Sequence, residues 1–241
     1  MDSKLEKKLK TFNNLPDKLK LEKLVSISEQ EIDDDILEFL IKVVEKEKYE
    51  RIRIKALFIL KDTKKKEIAQ KLMEIYAYER ENSIKLVLTE MIGDLSSPKI
   101  EDFLTKISKV DENDVVRSMA IRKLHERKKL KKDKLRELLL DRIQNDKAVF
   151  PIQMSLNILP DYADSESLET LKRVYQRETK NKMKQLIYQT MSKIAETLGE
   201  DLDIKEPILS NVREAMEKTH KKKRRGRKKK KKGKNEEHLF F

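Results

Sequence analysis

The chain has 241 residues, a formal net charge of +13, 42% charged and 5% aromatic residues, four Gly, five Pro and neither Cys nor Trp. A disulfide framework, a cysteine-ligated zinc site and a collagenous or glycine-rich chain are excluded on these figures. No apolar run approaches the length that spans a bilayer, and the opening "MDSKLEKKLK" lacks the apolar core of a secretion signal, so a cytoplasmic protein without membrane contact is expected.

Sparse Gly and Pro among dense Leu, Ile, Lys and Glu predict helix throughout, and hence an all-α fold. In chain order, residues 1–30 read as N-terminal capping helices, the pair itself lying within 4–28. Ile36, Leu40 and Val43 then follow i, i+4, i+7, one face of a helix. The triplet recurs at Ile68, Leu72, Ile75 and at Ile100, Leu104, Ile107, and more loosely at Leu135, Leu139, Ile143 and at Leu168, Leu171, Val174. Steps between first members are 32, 32, 35 and 33 residues. A second helix follows each of these, reading apolar, basic, then apolar or Ala. Its copies are Ile52, Arg53, Ala56, Leu60; then Ile84, Lys85, Leu88, Ile92; then Val116, Arg117, Ala120, Leu124. The fourth is Phe150, Pro151, Met154, Ile158, with Pro in place of the basic residue, and the fifth is Met183, Lys184, Ile187, Met191. These steps are 32, 32, 34 and 33. Two patterns sharing one period point to stacked helix pairs, each too small to bury its apolar face without neighbours. Turn residues agree: Ser97 and Pro98 read as a helix start, "DSES" at 164–167 as another, and Pro151 fits a first helical turn. Residues 31–200 thus form the array, 201–219 a C-terminal capping helix opened near Pro207, and 220–241 a basic tail.

The segment "VVRSMAIRKL" at 115–124 resembles HEAT-type helical repeats, in the short form of lyase-like HEAT proteins. The resemblance covers about residues 31–198, some five copies. It implies a right-handed α-solenoid whose repeated basic residue (Arg53, Lys85, Arg117, Lys184) pairs with acids of a neighbouring turn and orders the stack. Tetratricopeptide repeats have a similar length, but their Trp/Gly/Tyr and Ala/Phe/Pro positions are not met.

Enzymes built on such repeats provide a test by composition. A deoxyhypusine-type hydroxylase holds two irons with several His-Glu pairs, whereas this chain has three His in all and one such pair, His125–Glu126. Helical-repeat alkylpurine glycosylases depend on Trp, which is absent. No residue specifically supports a bilin lyase, and neither a Gly-rich phosphate loop nor a nucleophile motif is present. No catalytic residue, metal or cofactor is therefore expected; a lyase- or hydrolase-type enzyme is the least favoured reading.

The charge is concentrated. Residues 221–234 hold 12 Lys/Arg and no acid, and residues 235–241 hold two acids, which leaves +3 for residues 1–220. Lys221, Lys222, Lys223, Arg224, Arg225, Arg227, Lys228, Lys229, Lys230, Lys231, Lys232 and Lys234 are the candidate nucleic-acid contacts. A run this dense repels itself, so a disordered arm is expected, and it neutralises phosphates with release of counterions. No aromatics interleave it, so binding to RNA or DNA should be independent of sequence. A ribosome or nucleoid anchor in a prokaryote and a nuclear address in a eukaryote are the corresponding locations. A second cluster at 122–136 holds nine basic and two acidic residues. Lys128, Lys129, Lys131 and Lys132 there, with Lys64, Lys65 and Lys66 at the equivalent junction two repeats earlier, are expected to form a basic rim along one edge. The terminal Leu239, Phe240 and Phe241 resemble a short docking tip for a pocket on a protein partner. The match to sliding-clamp peptides is partial, because Lys234 stands where Gln belongs and Glu237 where an aliphatic residue belongs. The leading expectation is a non-enzymatic adaptor: protein partners on the repeats, nucleic acid or a nucleoprotein on the tail. The alternative is a pure protein scaffold whose tail binds acidic partners or acts as a targeting signal.

Overall fold

The computed structural model describes residues 3–63 and 68–207. Among them are twelve α-helices and no strand, an all-α, repeat-like arrangement. In order, they are α1 (Ser3–Asn13), α2 (Asp17–Ser28), α3 (Asp34–Lys46), α4 (Glu50–Asp62), α5 (Ile68–Tyr78), α6 (Asn82–Asp94), α7 (Ile100–Val110), α8 (Asp114–Arg127), α9 (Lys132–Asn145), α10 (Val149–Ile158), α11 (Ser165–Arg177) and α12 (Asn181–Leu198). A 3-10 turn, Leu159–Asp161, follows α10, and the described residues divide into two compact units between Ile158 and Leu159. Residues 201–207 are not helical, and the remainder of the expected closing helix lies outside the described residues, as does the tail.

In the first unit α3 packs on α4, α5 on α6, α7 on α8 and α9 on α10, while α2, α4, α6, α8 and α10 also pack in series. The apolar faces meet as their spacing requires. Leu40, Ile52, Ala56, Leu60, Leu72, Ile84, Leu88, Ile92, Leu104, Val116, Ala120, Leu124 and Leu139 have no more than 1% of their surface exposed. Full burial of one such Leu or Ile stabilises by about 1.5–3 kcal/mol, and neighbouring pairs supply the cover. In the second unit α11 packs on α12 through Leu168, Leu171, Ile187 and Met191, and α12 also meets the 3-10 turn.

The fourth copy sits in a different register from the one its apolar pattern predicts. Phe150 is 55% exposed, whereas Pro151, Ser155 and Ile158 are buried. Pro151 therefore takes the position of Ile52, Ile84 and Val116, and Ile152 takes that of Arg53, Lys85 and Arg117. Helix α7 likewise starts at Ile100, two residues beyond Pro98. At α11 the expected start is seen: Asp164 accepts from the Ser167 N–H in a reciprocal capping box.

Candidate nucleic-acid interface

In the first unit each helix pair turns back on itself, which puts the turns inside a pair on one edge and the junctions between pairs on the other. A ladder of ion pairs runs along the turn edge. An acid closes the first helix of each pair at Glu47, Glu79, Asp111 and Asp146. One oxygen of each accepts backbone N–H groups of its own turn: Lys48 and Tyr49, Arg80 and Glu81, Asn113, and Ala148 respectively. The other oxygen takes a cation from the preceding pair. Lys20 reaches Glu47 at 2.8 Å, Arg53 reaches Glu79, Lys85 reaches Asp111 at 2.9 Å, and Arg117 reaches that oxygen of Asp146 at 2.9 Å while also donating at 2.7 Å to the one that accepts from Ala148. Arg53, Lys85 and Arg117 thus make the pairs expected of the repeated basic position, whereas the Lys184 ammonium in α12 lies over the Tyr175 ring, 5.3 Å from its centroid. Ile152, the equivalent residue in α10, has no charge to offer.

The electrostatics follow. Burial alone would raise the Glu47 carboxyl. The Lys20 ammonium and the N–H groups of Tyr49 and Lys48 more than reverse that, holding it below its usual range. Glu79, Asp111 and Asp146 are depressed by the same contest between burial and their paired cations. Tyr76 donates to Asp111 at 2.6 Å, and burial together with that carboxylate pushes its phenol well up.

The junction edge carries four of the residues expected to form a rim. Lys128, Lys129, Lys131 and Lys132 are all exposed in the connection between α8 and α9. Lys128 closes α8 in the left-handed conformation, φ 53°, Lys131 is the N-cap of α9 and Lys132 its first residue. Lys64, Lys65 and Lys66 lie outside the described residues, as do residues 221–234 and the tip Leu239, Phe240 and Phe241.

Not all of the 122–136 cluster faces solvent. Lys123 is buried, its ammonium 2.7 Å from Asp94 and 2.9 Å from Glu126. Burial would lower its pKa, and those two carboxylates instead raise it. Arg127 binds Glu101 at 2.9 Å and the carbonyls of Gly93 and Leu95, each at 2.6 Å. Arg122 lies 3.6 Å from Glu126. The exposed charge is therefore concentrated at Lys128, Lys129, Lys131, Lys132 and Lys134.

Among the described residues no group of His, Cys, Asp and Glu is placed to hold a metal ion, and no helix is long and apolar enough to cross a membrane. No protein-family model, curated protein or solved structure matches the chain.

Proposed function

We propose a non-enzymatic helical-repeat adaptor of the HEAT-like kind that holds protein partners on its repeats and nucleic acid, or a nucleoprotein such as a ribosome, on its basic segment. The observation that carries this reading is the sequence of residues 221–234, 12 Lys/Arg in 14 positions, beside a body whose repeated cations are consumed in internal pairs. Contacts with phosphate supply affinity without reading bases. Lys128, Lys129, Lys131 and Lys132 extend that footprint onto the folded body, as would Lys64, Lys65 and Lys66. Tethering in this way raises the local concentration of whatever the repeats hold.

The protein-binding half rests on apolar residues left bare on the turn edge. Tyr78 and Val110, the equivalent last residues of α5 and α7, are 88% and 65% exposed. An aromatic and an aliphatic side chain at matching points of successive pairs make a repeating contact surface. Leu239, Phe240 and Phe241 form a separate docking tip.

Crosslinking in the native cell tests the reading. Nucleic acid should be recovered with the intact chain and lost when residues 221–234 are removed. Affinity should fall with salt at a log–log slope of about −0.9 per phosphate neutralised on duplex DNA. Reversing Lys128, Lys129, Lys131 and Lys132 to Glu should flatten that slope, and an unchanged slope would eliminate the rim. Salt-insensitive binding, or recovery of proteins alone, would favour the pure scaffold. Deleting residues 238–241 should weaken capture of the protein partner and spare nucleic acid.

A further inference from the structure

A cavity of about 670 Å³ lies between α1, α2 and α3, and its lining shares no residue with the ladder or the rim. Lys4, Lys7 and Lys8 stand at i, i+3 and i+4 on α1, which brings them to one side of the helix, and Lys23 enters from α2. Lys4 and Lys8 share Asp35 at 3.3 and 3.7 Å, whereas Lys7 and Lys23 make no ion pair among the described residues. Asp33 is the single carboxylate in the lining, and its Oδ1 is taken by the Ile36 N–H at 2.7 Å. Asp35 therefore offsets part of the Lys4 and Lys8 charge and Asp33 remains anionic, so the excess in the lining belongs to Lys7 and Lys23.

The rest of the lining is of two kinds. Ile27 and Phe39 are buried and form an apolar floor beside Ile36. Thr11, Ser26 and Gln30 add hydroxyl and amide groups. An apolar concavity with a few convergent polar groups is the usual composition of a small-molecule site. The charge excess selects an anion, and the floor selects a body with a hydrophobic face. Thr11 already donates to the Lys7 carbonyl at 2.9 Å and Gln30 Nε2 to the Ser26 hydroxyl at 3.4 Å, so the Ser26 O–H and the Gln30 Oε1 are the polar groups left to select a body with heteroatoms. A bare phosphate ion would satisfy the lysines and leave the floor wet.

We propose that this cavity binds a mononucleotide, its phosphate against Lys7 and Lys23 and its heterocycle over Ile27 and Phe39. The site is independent of the adaptor reading, because it shares no residue with 221–234 or with the rim.

Isothermal titration calorimetry of the full chain with AMP, adenosine and inorganic phosphate tests it. AMP should bind saturably at one site, with adenosine and phosphate each weaker by about tenfold or more. Lys7→Ala with Lys23→Ala should weaken AMP by about tenfold or more, while helicity and the thermal midpoint stay unchanged, because neither lysine is paired or buried. Ser26→Trp, which fills the cavity, should abolish the heat. Three results would each overturn the proposal. The first is no saturable heat at millimolar AMP. The second is equal affinity for AMP and inorganic phosphate. The third is AMP binding unaffected by the double lysine substitution, which would place the nucleotide on other cations of the chain.

Discussion

Arg117 holds Asp146 through two parallel hydrogen bonds, Nε to Oδ2 at 2.9 Å and Nη2 to Oδ1 at 2.7 Å, while its Nη1 donates to the Asp111 carbonyl at 2.8 Å. One guanidinium on α8 thereby ties together the ends of α7 and α9. The Asp146 side chain is 2% exposed, so loss of Arg117 leaves a buried carboxylate with only the Arg142 guanidinium, 3.5 Å away, to offset it. Arg117→Leu should lower stability to urea by about 3–5 kcal/mol. Arg117→Lys should fall between that variant and the unchanged protein, since a point charge replaces part of the attraction but not the planar fork. Equal stability of all three would show that the pair contributes nothing.

Acid should loosen the first unit. The folded-state values of Glu47, Glu79, Asp111, Asp141 and Asp146 all lie below their ordinary ones. Between the depressed folded value and the ordinary unfolded value, the unfolded chain binds more protons, so stability rises with pH across that window. The contribution is complete above about pH 5 and is lost as pH falls through 4 and below. Urea midpoints measured from pH 7 to pH 3 should decline over that range. Glu79→Gln should flatten the decline while lowering stability at pH 7; a profile of unchanged steepness would locate the acid sensitivity elsewhere.

Gly93 is needed for space rather than for backbone freedom. A Cβ there would lie 2.6 Å from Cγ and 2.9 Å from Cβ of Lys123, whose stem crosses α6 on its way to Asp94. Alanine normally gains about 1 kcal/mol over glycine inside a helix. Overpacking should outweigh this, so Gly93→Ala is expected to destabilise by about 1–3 kcal/mol. Combining it with Lys123→Ala removes Cγ and Cδ, and the pair should cost less than the sum of the single variants. Strict additivity in thermal denaturation would contradict the contact.

Lys128 occupies a backbone conformation that glycine adopts without strain; at the end of α12 the same conformation is held by Gly199, φ 69°. Lys128→Gly should stabilise the chain by about 0.5–1 kcal/mol, the strain relieved being partly offset by the entropy of an unfolded glycine. Lys128→Ala removes the same charge and keeps the strain, so it should gain less. If both stabilise equally, the gain comes from relieving charge repulsion.

The helical faces were legible because burial in a stacked pair depends on spacing alone, and Leu72, Leu104 and Val116 fall where the spacing puts them. The fourth copy was not. Val149, Phe150, Pro151 and Ile152 are consecutive apolar residues, and periodicity cannot choose which of them faces inward. The step to the buried Pro151 matches the longer step already present between Ile100 and Leu135. The ladder's acids had a trace too, since Glu47, Glu79, Asp111 and Asp146 follow one another by 32, 32 and 35 residues, but which acid of a turn meets a cation is decided by packing between pairs. Lys123 and Arg127 count toward the charge of 122–136 yet point into the body, since a long aliphatic stem lets a cation lie under neighbouring helices. The lysine-lined cavity had a visible trace, Lys4, Lys7 and Lys8 on one side of α1, but the floor that gives it meaning comes from α2 and α3.

The ladder also has a direction. In every rung the cation belongs to the earlier helix pair and the acid to the later one. Shortening the unit from its far end strands a Lys or Arg, which can swing its head into water. Shortening it from its near end strands a short carboxylate pinned to its own turn, which cannot. Fraying within this unit should therefore be unequal at its two ends, with the α10 end opening at lower cost and the α2 end acting as the clasp.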